Sequence, residues 1–106
     1  MGIFDMFKQP DINEGIEEYR SKPGAVLLDV RTEQEYRNGR IPGSKNVPLY
    51  KLDKVSELVA DRESPLYVYC QSGGRSRQAV SVLRGMGYAE VNNIGGIAHY
   101  SGRVER

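Results

Sequence analysis

One cysteine, one histidine and no tryptophan occur in the 106 residues of this chain. A lone thiol excludes an intramolecular disulfide and any paired-cysteine zinc site, and it fits a reducing compartment. Surplus charge is equally scarce: 15 Lys and Arg against 14 Asp and Glu leave +1. A nucleic-acid binder would carry a basic excess or patch, so no such partner is expected. No apolar run approaches the ~20 residues of a membrane-spanning helix. The start, MGIFDMFKQPD, has Asp5 inside its apolar stretch and no long h-region, so it makes a poor signal peptide. Met6 stands where a myristoylation signal has Ser or Thr. The expectation is a cytoplasmic protein with no membrane partner, no metal and no cofactor. Residues 1–9 read as an extension whose Ile3, Phe4, Met6 and Phe7 either pack on the domain or mediate self-association.

What is present is enough for one domain over residues 10–106. A chain of this length buries somewhat over ~60% of its unfolded surface, which supports a single core without staples. DINEGIEEY opens with Asp11 and Glu14 at capping-box spacing, and Ile12, Ile16 and Tyr19 recur at helical intervals. AVLLDV (25–30) is a continuous apolar run, as in a strand buried on both faces. Thr32 and Glu35 form a second capping box, with Gly39 as the helix stop. RIPGSKNVPL (40–49) is turn chemistry and a short extended piece whose two prolines exclude a central strand. Leu52, Val55, Leu58 and Val59 stripe another helix. LYVYC (66–70) reads as a strand with core tyrosines at 67 and 69. SRQAVSVLRGMGY is a helix buried through Ala79, Val80, Leu83 and Met86 and ended by Gly87, and EVNNI is a last short strand.

Strands alternating with helices imply right-handed crossovers and a mostly parallel sheet with helices on both faces. Ligands of such sheets bind outside the carboxyl ends of the strands. Asp29 ends one strand and Cys70 another, which places both on that rim.

The segment CQSGGRS (70–76) carries the chemistry. Gly73 and Gly74 tolerate positive φ, which lets successive N–H groups turn inward as an anion nest. The helix starting near Ser76 adds the positive end of its dipole. A free thiol titrates near ~8.5, and moving it to about 6.5 requires roughly 2.7 kcal/mol of preferential stabilisation of the thiolate. Two aligned amides are enough, at about 1.5–3 kcal/mol each for a charged acceptor. Arg75 opposes the helix dipole, so its presence points to an anion, for which the guanidinium fork is suited. The plainer reading makes Cys70 a small core residue and lets Arg75 pair with a surface acid. The glycines, the arginine and the strand-to-helix position together favour a nucleophile.

LLDVRTEQEYRNGRIPGSKNVPL, YVYCQSGGRS and NIGGIAHYSG resemble the three signature stretches of rhodanese-like domains, over about residues 10–103. The resemblance implies a five-stranded parallel α/β sheet and a Cys70 that carries sulfur as a persulfide. It also implies an active-site loop of Gln71, Ser72, Gly73, Gly74 and Arg75, with Ser76 joining them on the substrate. Thiosulfate or a similar donor and a thiol or cyanide acceptor are then the expected small molecules. A sulfur carrier that exchanges persulfide sulfur with a protein partner is the alternative. The spacing C-x4-R is one residue shorter than the C-x5-R of cysteine phosphatases, a tighter ring that suits a terminal sulfur better than a phosphate. Departures are Arg40 and Ser44 in the RIPGS stretch, where the family usually has His and Ala, and Tyr100 where a tryptophan often follows. All three lie outside the loop.

Other candidates rank lower. A carboxylate beside a thiolate would raise its pKa, so Asp29 is expected to brace the loop or pair with an arginine, and Arg31 to pair with Glu35. His99 reads as a surface residue rather than half of a Cys–His pair. Arg75, Arg77 and Arg84 either steer anionic donors or solubilise a helix face.

Overall fold

The computed structural model of the chain describes residues 10–106; the expectations for Ile3, Phe4, Met6 and Phe7 lie outside the described residues. Four parallel strands stand in the order β2-β1-β3-β4, with β1 Val26–Asp29, β2 Lys45–Asn46, β3 Leu66–Cys70 and β4 Val91–Gly96. The helices are α1 Ile12–Ser21, α2 Glu33–Asn38, α3 Val55–Leu58 and α4 Gly74–Gly85, with 3-10 turns at Leu49–Lys54 and Ile97–His99.

The pleat of β3 divides its side chains between two layers. Leu66, Val68 and Cys70 pack with Leu28, Val30, Leu52, Val55, Ala79 and Leu83 on the side of α3 and α4. Tyr67 and Tyr69 pack with Ile12, Ile16, Leu27, Ile41 and Ile94 on the side of α1. Covering on both faces is why every residue of β3 is buried and why the run is apolar without alternation. Each buried Leu, Ile or Val contributes about 1.5–3 kcal/mol. The same alternation puts Cys70 on the α4 face, directly under the start of that helix.

Several expectations need correction. The described residues hold four strands, not five. Residues 10–106 contain only four extended runs, and the C-terminal segment supplies a lone antiparallel bridge, Arg40 with Glu105, instead of a strand. The third helix is mostly a 3-10 turn followed by a single α turn, and Leu58 faces solvent at 52% exposure while Leu52, Val55 and Val59 are buried. At α1 the carboxylate of Asp11 accepts from the Asn13 amide, a simple cap without the reciprocal Glu14 bond of a box. The box at Thr32 and Glu35 is complete. Gly87, at φ 98°, ends α4 as expected: its amide donates to the Arg84 carbonyl and that of Tyr88 to Leu83.

Candidate active site

Only Gln71, Ser72 and Gly73 separate the end of β3 from α4, which begins at Gly74 rather than near Ser76. Arg75 and Ser76 therefore belong to the first helical turn. Gly73 supplies the left-handed turn at φ 106°; Gly74 does not share a positive φ, because it is already helical. This tight turn aims peptide hydrogens at the sulfur. The Gly73 amide donates to Cys70 Sγ at 3.0 Å, and the Ser76 hydroxyl lies 3.5 Å from it.

Cys70 is 1% exposed, and burial works against its ionisation. The Ser76 hydroxyl and the amides of Ser76, Gly73 and Ser72 outweigh that effect, so the thiol is held below its ordinary pKa. The cradle is electrostatic, and Ser76 is its most adjustable member. Its hydroxyl donates to the Gly73 carbonyl at 3.0 Å and to Asn93 Oδ1 at 2.7 Å and accepts from the Cys70 thiol, and it can turn to donate to the sulfur once that is a thiolate. Ser76→Ala removes one donor to a charged acceptor, about 1.5–3 kcal/mol. It is expected to move the midpoint of thiolate ultraviolet absorbance to higher pH and to slow iodoacetamide alkylation at neutral pH.

A second layer holds the loop from the opposite face of the sheet. Asp29, fully buried at the end of β1, takes three short contacts from the Arg31 guanidinium, Nη2 to Oδ2 at 2.7 Å and Nε to both oxygens at 3.1 Å. Arg31 also donates to the Gly39 carbonyl at 2.6 Å and to Gln71 Oε1 at 3.4 Å. Asp29 thus pairs with an arginine, but Arg31 does not pair with Glu35 as expected. The two-residue separation and the shared burial make Asp29 its nearer acid. Removing one partner leaves the other charge buried and uncompensated. Asp29→Ala is expected to lower unfolding free energy by about 3–5 kcal/mol in a urea titration.

Glu35 is committed elsewhere. It completes the Thr32 capping box and also accepts from both terminal nitrogens of Arg75, Nη1 to Oε1 at 2.7 Å and Nη2 to Oε2 at 3.0 Å. The anion that Arg75 faces is therefore a carboxylate of this chain. The Arg75 guanidinium, with help from Thr32, holds the Glu35 carboxyl down at about 2. Because the folded pKa lies below the unfolded value, the pair's contribution to stability is complete above about 4.5 and is lost as pH falls towards 2. The gap in thermal midpoint between the wild-type protein and Glu35→Gln is expected to close across that window.

Residues 12–102 of the chain match the rhodanese-like domain family. The chain belongs to that family. It is 37% identical over 83 residues to the uncharacterized protein YqhL of Bacillus subtilis, a match covering 76% of this chain and 64% of that protein, so it spans less than two thirds of YqhL. The thiosulfate sulfurtransferase PspE of Escherichia coli is 35% identical over 71 residues, covering 66% of this chain and 68% of its own. The human single-domain sulfurtransferase TSTD1 superposes with a TM-score of 0.71 at 26% identity, covering 87% of this chain and 95% of its own.

Elsewhere in this rhodanese-like domain, His99 lies exposed on the Ile97–His99 turn, where its carbonyl accepts from Asn13 Nδ2. Arg84 donates to the Val91 carbonyl and Arg77 is exposed, so the three arginines of α4 do not act as one cluster. Ser44 and Tyr69 clasp the Ile41 turn to β3: the Tyr69 hydroxyl donates to Ser44 Oγ and accepts from the Ile41 amide, both at 3.1 Å. Arg40 lies over the Tyr36 ring and pairs with Glu105. Among the described residues no cluster of His, Cys, Asp or Glu is arranged to hold a metal ion, and no helix is long and apolar enough to cross a membrane. Sequence reasoning missed three residues here. Glu35 registered as a cap and as a partner for Arg31 but not for Arg75, Gly96 registered only as half of a GG pair, and Asn93 gave no signal at all.

Proposed function

We propose that this domain is a sulfurtransferase that moves a sulfane sulfur from a donor such as thiosulfate to a thiophilic acceptor, a thiol or cyanide, through a persulfide on Cys70. The observation that carries this reading is the Gly73 amide 3.0 Å from Cys70 Sγ at the start of α4. The thiolate attacks the outer sulfur of the donor. A sulfur–sulfur bond forms as the donor's own bond to that sulfur breaks, and the remainder leaves with the electron pair. The new terminal sulfur bears the negative charge, and the inward amides of Ser72, Gly73 and Ser76 stabilise it. An acceptor nucleophile then takes that sulfur and returns Cys70 as thiolate. Gln71, Ser72, Gly73, Gly74, Arg75 and Ser76 shape the space around the transferred atom, and Asp29 with Arg31 supports the loop from behind. The four-residue interval between Cys70 and Arg75 supports sulfur over phosphate as cargo.

The carrier reading has one observation in its favour: the loop side chains Gln71 and Ser72 are uncharged, and Arg75 is engaged by Glu35. Turnover of thiosulfate with cyanide, compared with sulfur transfer from a cysteine desulfurase, separates enzyme from carrier. The reading as a whole is tested by the intact mass of the purified protein before and after a sulfane-sulfur donor. A gain of one sulfur atom that dithiothreitol reverses is expected. No gain from any donor, with the thiol still free, overturns it.

A further inference from the structure

Resting on the sulfurtransferase reading, we propose that Glu35 sets donor choice by neutralising Arg75, so that Cys70 is loaded by a hydropersulfide, R–S–SH, in preference to a dianion such as thiosulfate. The guanidiniums at the loop are internally matched. Arg31, 4% exposed, is spent on Asp29, and both terminal nitrogens of Arg75 lie on Glu35. Gln71 and Ser72 add no charge. Arg77, one residue beyond the inward-facing Ser76 and about 100° round the helix, is exposed. An incoming donor therefore meets peptide dipoles and a thiolate, with no unmatched guanidinium in the loop. Thiosulfate would bring two further negative charges into that space beside the thiolate, whereas a hydropersulfide brings one at most and none in the protonated form that is attacked.

The adjoining surface points the same way. A cleft of about 370 Å³ beside Arg75 is lined by Val30, Thr32, Pro48, Leu49 and Tyr50. Those walls are largely hydrocarbon, suited to the organic group R and not to a sulfonate. In the step itself the Cys70 thiolate attacks the terminal sulfur of R–S–SH. The Cys70–sulfur bond forms, the donor's S–S bond breaks, and R–S⁻ leaves with the electron pair. The proton stays on the transferred sulfur, and no oxidant or reductant is consumed.

The experiment measures Cys70 loading by quenched intact mass against donor concentration. Thiosulfate is one donor; 2-hydroxyethyl hydropersulfide and a cysteine desulfurase bearing its own persulfide are the others. Wild-type protein is expected to half-saturate with a hydropersulfide donor at a concentration at least about tenfold below that for thiosulfate. Glu35→Gln retains the helix cap, since glutamine serves at that position too, but leaves the Arg75 charge unmatched. It is expected to shift the ratio of thiosulfate to hydropersulfide loading about tenfold towards thiosulfate, through half-saturation more than through maximal rate. Comparable half-saturation by thiosulfate and the hydropersulfides in the wild-type protein overturns the proposal, as does a variant that changes both in proportion. The wild-type comparison stands even if the variant folds poorly. Loading from either hydropersulfide supports the proposal, and the faster of the two identifies a free or a protein-borne source. Loading from none of the three donors, while iodoacetamide still alkylates Cys70, removes the sulfurtransferase reading itself.

Discussion

Cys70→Ser is expected to abolish sulfur loading and to leave the domain folded. Serine has nearly the shape of cysteine and keeps an acceptor for the Gly73 amide now 3.0 Å from the sulfur, so the turn into α4 loses no partner. What it loses is a nucleophile. A hydroxyl without a neighbouring base stays protonated at neutral pH. Among the described residues the sulfur's side-chain position is bonded by the Gly73 amide and the Ser76 hydroxyl, neither of them a base, while His99 lies exposed on its own turn. The depressed pKa of Cys70 comes from fixed dipoles and a hydroxyl, which stabilise an anion and do not remove a proton. Intact mass after donor treatment, read alongside circular dichroism, checks both halves. An added sulfur on the serine variant excludes Cys70 as the carrier.

Gly96→Ala is expected to produce nearly as large a loss by a purely steric route. Gly96 sits at φ −123°, a conformation open to any residue, so its backbone angles do not call for glycine. The approach of the loop does. A methyl group there would lie 2.4 Å from the Gln71 carbonyl oxygen and 2.6 Å from Ser72 Cα, inside contact distance of backbone that cannot rotate away. Relief requires the loop to move off β4. Displacements of about 1 Å around a reacting atom cost on the order of 100-fold in rate. Overpacking of this kind also costs about 1–3 kcal/mol of stability. Loading rate by quenched mass and a urea titration measure the two effects, and a variant that loads at the wild-type rate would show that the loop tolerates the shift. Gly74→Ala provides the contrast. Nothing lies within 4 Å of a methyl there, and the residue is already helical, so it is expected to be neutral or slightly stabilising.

How far the sequence could be read depended on the range of the interactions involved. The strand at Leu66–Cys70 was legible because burial on both faces leaves an uninterrupted apolar run. The start of α2 was legible because a capping box closes within four residues. The cysteine loop was legible because glycine, a strand end and a helix start are local features. Errors appeared where geometry depends on distant neighbours. Leu58 fits a helical stripe yet is exposed, since the helix is a single turn, Val55–Leu58, after a 3-10 segment, and Val55 and Val59 rather than Leu58 reach the core from it. The start of α4 was placed two residues late because a Gly-Arg pair reads as loop until the turn at Gly73 is seen. The expectation of a fifth strand came from family resemblance alone.

The sequence by itself determined the strand and helix order, the isolation of one thiol at a strand end, and the glycine that turns the chain beneath a helix. These follow from near-neighbour sterics and periodicity. Only the tertiary structure decided which charge meets which. Arg75 and Glu35 are 40 residues apart and come together because β1 and β3 are adjacent and parallel, so the elements that follow them leave the same rim. Asp29 takes Arg31 because both are buried on one side of that rim, and Gly96 matters because β4 brings it against the loop backbone. Electrostatic pairing and close packing are set by distance in space, which residue identities do not encode until the sheet has formed.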